Sequence, residues 1–119
     1  VANGPLVYEA LIAAKKLEKE IDCQVLNCST VKPLDGKTLM QAAKKTGCVV
    51  TAEEHQWQGG LAGAVAEFLG ENYPVPIKRV GVKDRFGESG TPEELFKAFG
   101  LTSDDIVKAV RAAVKMKKQ

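Results

Sequence analysis

The stretch CVVTAEEHQWQGGLAGAVAEFLGEN, residues 48–72, predicts a strand, a loop and a helix in that order. CVVTAE is short and apolar enough to form a strand buried on both faces of a sheet. The helix starts at the glycine pair, carries a small-residue face and stops before Tyr73-Pro74. Between them, TAEEHQWQGG (residues 51–60) contains the only histidine, the only tryptophan, two adjacent carboxylates and two glycines. This crowding makes the loop a candidate site.

Toward the amino terminus, PLVYEALIAAKKLEKE predicts a helix over residues 5–20, with Pro5 suited to its first turn. Its predicted core face consists of apolar residues at helical spacing: Leu6, Ala10, Ala13, Ala14 and Leu17. Ahead of it, Val1 and Ala2 precede the turn Asn3-Gly4 and predict the stump of a strand.

A second strand and a second helix are predicted next. CQVLNCS, residues 23–29, has the apolar pattern of a strand, and Pro33 prevents the ladder from continuing. Asp35 is a suitable N-cap for a helix over residues 36–46, and Gly47 is a typical C-terminal signal.

The carboxyl-terminal part predicts a strand and two helices. The strand is VPIKRVGVKD, from residue 75, and TPEELFKAFG predicts a capped helix over residues 91–100. The last helix is capped by Thr102 or Ser103 and has three core positions: Ile106, Val110 and Ala113. Strands and helices thus alternate along the chain, which favours a three-layer α/β domain with a largely parallel sheet.

Composition narrows the function classes. The 119 residues are enough for one domain, and 45% hydrophobic with 27% charged residues is typical of a globular protein without membrane spans. The net charge of +2 comes from interleaved charges, which gives no basic face for nucleic acid. The chain opens on Val1, which suggests a piece of something longer.

The three cysteines indicate a reducing compartment, which for this protein means the cytoplasm. Cys23, Cys28 and Cys48 each lie in or beside an apolar segment and have no disulfide-framework spacing. A zinc site would need His55 as fourth ligand and has no C-x-x-C pair to anchor it.

In parallel α/β folds, ligands and partners gather at the carboxyl edge of the sheet. Three predicted loops lie there: STVKP, TAEEHQWQGG and KDRFGESG. Glu53, Glu54 and His55 are candidates for acid–base chemistry, but adjacent side chains point in different directions, which favours loop capping or partner contacts. Ser29 and Ser89 lack the G-x-S-x-G setting of a nucleophile.

The glycines and the tryptophan of the loop allow two interpretations each. Gly59, Gly60 and Gly63 could cradle a phosphate, but their G-G-x-x-G spacing favours close packing of the helix. Trp57 in its polar loop is typical of an interface anchor rather than a cofactor stack. Arg85, at a strand end beside glycines, could bind an anion.

Three blocks carry a family resemblance: VLNCSTVKPLD, VVTAEEHQWQGGLAGAVAEFL and VGVKDRFGESGTPEELFKAFGLTSDDI. In order and spacing they resemble the C-terminal domain of transketolases, from about Asn3 to Val114. Related domains occur in 1-deoxyxylulose-5-phosphate synthase and in the β subunits of 2-oxoacid dehydrogenases. The resemblance implies a five-stranded mixed sheet, its first strand antiparallel and mostly ahead of Val1, with helices on both sides.

The resemblance also implies a function for the parent protein. Transketolases transfer a two-carbon ketol unit between sugar phosphates, using thiamine diphosphate and Mg²⁺ or Ca²⁺ held by two other domains. No position here matches those cofactor residues, and no G-D-G metal motif is present in the sequence. The domain is therefore expected to be catalytically silent and to support inter-domain packing and a homodimer.

Under this hypothesis the edge residues make inter-domain or anion contacts: Glu53, Glu54, His55, Trp57, Gly59, Gly60, Asp84, Arg85 and Ser89. A free-standing regulatory module that binds a small ligand is the alternative of a different class, because fold alone does not fix function.

Overall fold

The computed structural model describes residues 1–4, 6–28, 35–56, 60–82 and 101–117, with backbone alone for residues 54–56 and 82. The elements are α1 (Leu6–Lys16), α2 (Gly36–Thr46), β1 (Val49–Gln56), α3 (Leu61–Asn72), β2 (Ile77–Val82) and α4 (Ser103–Lys117). The helix predicted over residues 91–100 lies outside the described residues, as do the loops at 29–33 and 83–90.

The sheet is parallel wherever strands pair among these residues. β1 and β2 align Val49 with Ile77 and Ala52 with Val80, and their register shifts before Gln56 meets Val82. Two further backbones extend the ladder as isolated parallel bridges, because Ala2 pairs with Asn27 on one side and with Ala52 on the other. The spatial order is therefore the segment around Asn27, the segment around Ala2, β1 and β2.

Helices cover both faces of this sheet and confirm the three-layer α/β prediction. On one face, α1 and α4 pack on Ala2, Ala52 and Val80. On the other face, α2 and α3 pack on Val49 and Ile77. Successive side chains of β1 thus face opposite helix layers, as expected for a strand buried on both faces.

The predicted strand stump is present, but its direction differs from the expectation that it belongs to an antiparallel first strand. Ala2 runs parallel to both of its neighbours and lies between them. Its N–H donates to Leu26 O at 2.9 Å, and Ala52 N–H donates to Val1 O at 2.8 Å. These bonds make residues 1–3 an internal strand. No antiparallel pair occurs among the residues that the structure describes.

Local signals set the helix ends. α2 begins after Asp35, whose carboxylate accepts the Thr38 N–H at 3.1 Å, and ends at Gly47 with φ of 80°. Thr102 caps α4 through a reciprocal pair of bonds, because Asp105 N–H donates to its hydroxyl and its own N–H donates to the Asp105 carboxylate. α1 is shorter than predicted and gives way to a turn at residues 17–20.

Candidate functional site

The described part of the candidate site joins the end of β1 to the start of α3. Glu53 lies on β1, and its side chain is buried, with 1% of its surface exposed. Its two carboxylate oxygens accept backbone N–H groups of α3, from Leu61 at 2.7 Å and from Ala62 at 3.2 Å. One carboxylate therefore binds the first two amides of the helix.

The position of Glu53 follows from the strand register. Val49 and Glu53 are an even number of residues apart in β1, so both point toward the layer formed by α2 and α3. The first N–H groups of a helix have no intrahelical partner, and the helix dipole favours negative charge there. The Glu53 carboxylate supplies both the negative charge and the acceptors that these N–H groups need, which explains how it is buried with no basic partner among the described residues.

Gly60 provides the space that this contact needs. It is the N-cap of α3 and has no side chain to cap the helix itself. A Cβ at Gly60 would lie 2.7 Å from both carboxylate oxygens of Glu53. Gly63 shows no comparable crowding, because a Cβ there would meet no atom within 4 Å among the described residues. The second glycine of the pair is therefore required by the carboxylate.

These contacts show what Glu53 does in the described part of the site. Of the roles considered for Glu53, helix capping is the one observed. A phosphate cradle at the start of α3 does not fit, because the Leu61 and Ala62 amides already donate to Glu53. A general base must be free to take a proton, whereas both oxygens of Glu53 are engaged in a closed site. Glu53 is thus unsuited to pair with His55 in catalysis.

The remaining candidate residues are only partly described. Glu54 and His55 belong to the backbone of β1, which continues through them to Gln56. The other candidates lie outside the described residues: Trp57, Gly59, Asp84, Arg85 and Ser89. The structure therefore brings Glu53 and Gly60 together and leaves the contacts of the others as predictions.

Three polar groups at this site were not singled out from the sequence: two backbone amides and one hydroxyl. The amides of Leu61 and Ala62 carry no sequence signal of their own, although a carboxylate at a strand end followed by a glycine pair and a helix would indicate them. The Thr51 hydroxyl, two residues before Glu53, is buried with no hydrogen-bond partner among the described residues.

The cysteines show no sign of a reactive or metal-bound thiol. All three are free and half-buried, and burial raises the pKa of Cys23, Cys28 and Cys48 above the usual value. Among the described residues, no group of three or more metal-ligating side chains could hold a metal ion.

In the same part of the chain, no helix has the length and apolar character needed to cross a membrane.

The sequence and the fold resemble those of one enzyme family. A sequence model described as "Transketolase, C-terminal domain" matches residues 1–106. The chain belongs to the transketolase C-terminal domain family. The predicted resemblance is therefore confirmed.

Relatives give the match more detail. The chain is 49% identical to a 6-deoxy-6-sulfo-D-fructose transketolase subunit of Clostridium sp. strain MSTE9, over 98% of this chain and 37% of the relative. It is 43% identical to a 1-deoxy-D-xylulose-5-phosphate synthase of Geobacter sulfurreducens, over 94% of this chain and 18% of that protein. Rat transketolase is 39% identical over 96% of this chain and 18% of its own length.

A solved structure agrees with these matches. A chain described as a split gene transketolase, in an inactive β4 tetramer, superposes with a TM-score of 0.93 and 50% identity. The match covers 98% of this chain and 38% of that one. The chain thus spans little more than a third of the subunit-type relatives, and under a fifth of the longer ones.

Proposed function

We propose that this chain is the C-terminal domain of a transketolase that transfers a two-carbon ketol unit from a ketose phosphate to an aldose phosphate. The domain itself is catalytically silent and has an architectural role. It packs against the other domains or subunits of the parent and supports the homodimer that forms the active site. The parent is cytoplasmic, in keeping with the three free cysteines of this chain.

The observation that carries this proposal is the contact between the Glu53 carboxylate and the first amides of α3. The buried carboxylate in the site loop is fully engaged in joining β1 to α3. Such a contact fixes the two ends of the intervening segment, residues 54–59, without supplying a reactive group. A segment anchored at both ends on rigid elements is suited to docking, because less freedom is lost when it binds.

Residues of this edge then act as contacts with the rest of the parent. Glu54, His55, Trp57 and Gly59 are assigned to the docking segment itself. Asp84, Arg85 and Ser89 are assigned to the neighbouring loop, where Arg85 is the candidate for an anion contact.

Thiamine diphosphate and its Mg²⁺ or Ca²⁺ belong, in this proposal, to the other domains. The described residues do not fit that cofactor. The amides at the start of α3, which could otherwise bind a diphosphate, are occupied by Glu53, and no cluster of metal ligands is found among them. No catalytic step is therefore assigned to these residues.

Assembly from separate subunits is supported by the names of the relatives. Two of them, from Clostridium and from Phocaeicola vulgatus, are described as transketolase subunits, and the matched solved structure is described as the product of a split gene. The 43% identity to a 1-deoxy-D-xylulose-5-phosphate synthase favours that activity as the second candidate for the parent.

Reconstitution tests the proposal. The chain is mixed with the remaining portion of its parent, and ketol transfer from xylulose 5-phosphate to ribose 5-phosphate is measured with and without it. We expect activity and dimer stability to rise when the domain is present. Formation of 1-deoxyxylulose 5-phosphate, measured in parallel, would support the second candidate instead.

A matched pair of variants locates the docking segment. Trp57→Ala should weaken reconstitution, whereas Glu67→Ala, an exposed change on the outer part of α3, should leave it unchanged. A remainder that is equally active and dimeric alone would contradict the architectural role and favour the regulatory module. Clear calorimetric binding of thiamine diphosphate with Mg²⁺ to residues 1–119 would contradict the assignment of the cofactor to other domains.

A further inference from the structure

We draw no further inference here: the strongest candidate, the outward face of α1 that carries the exposed side chains of Tyr8 and Leu11, is an apolar surface patch for which nothing in the structure shows what covers it.

Discussion

The carboxylate of Glu53 and the α-carbon of Gly60 are in such close contact that a methyl group on Gly60 would lie 2.7 Å from both carboxylate oxygens. Glu53 lies on β1, and Gly60 immediately precedes the first residue of α3. The two residues depend on each other. The Glu53 carboxylate reaches the helix amides only because Gly60, the N-cap, has no side chain in the way. The candidate loop is therefore held closed at its base by these two residues.

Removing the carboxylate should destabilise the fold. Glu53→Ala leaves two buried N–H groups without an acceptor, and each such group costs about 1–3 kcal/mol, so we expect a loss of about 2–6 kcal/mol. Glu53→Gln should also destabilise, since an amide offers one acceptor where two are needed. Urea unfolding measures both effects. Glu67→Gln, on the exposed side of α3, is the control, and equal stability of Glu53→Gln and the unmodified chain would contradict the capping role.

Two glycines, Gly60 at the N-cap of α3 and Gly70 inside the helix, should respond in opposite directions to alanine. Gly60→Ala forces the new methyl group against the Glu53 carboxylate and should cost about 1–3 kcal/mol. Gly70→Ala adds a methyl group that meets no described atom within 4 Å and should stabilise the helix by up to about 1 kcal/mol. Both are measured by urea unfolding.

A double-mutant cycle separates this contact from general strain at Gly60. In the Glu53→Ala background the carboxylate is gone, so Gly60→Ala should cost much less than it does alone. Additive effects of the two changes would show that the contact is not the cause.

The sequence predicted best what is decided locally. The bounds of α2 follow from Asp35 and Gly47, because a cap and a left-handed terminus act within one turn of the helix. The start of α4 at Thr102 follows in the same way. The α/β class follows from the alternation of elements, which needs no knowledge of individual contacts.

Contacts between residues that are distant in sequence could not be predicted from local signals. β1 was expected to end at Glu53 but continues to Gln56, because Gln56 meets Val82 of β2. The segment 23–29 was predicted as a strand, and among its described residues, 23–28, the pairing is a single bridge from Asn27 to Ala2. The bond from Leu61 to Glu53 spans the loop, and no local period indicates it.

Acid should weaken the cap of α2. The Thr38 N–H and hydroxyl hold the pKa of Asp35 below its usual value. A carboxylate with a lowered pKa in the folded state stabilises the protein above its unfolded pKa, and this contribution is lost as the pH falls through the folded value. Asp35→Ala should therefore lower the urea midpoint at pH 7 and make little difference at the lowest pH at which the chain folds. A difference that stays constant with pH would contradict the assignment.

The amino group of Val1 should give the 119-residue chain a second pH dependence, of the same sign as that of Asp35 but at higher pH. Burial lowers its pKa from 8.0 to about 6, against the smaller opposing influence of Cys28 and Cys23. Between these values the unfolded chain holds a proton that the folded chain lacks, so stability rises with pH from about 6 to about 8. Two pKa units correspond to a change on the order of 2–3 kcal/mol.

Acetylation of Val1 removes the titrating group and is the matched control for that effect. Urea unfolding at pH 6, 7 and 8 should show rising stability for the free amine and a smaller rise for the acetylated chain. The same slope in both forms would show that the amino group is solvated, and would contradict its hydrogen bond to Val50 O.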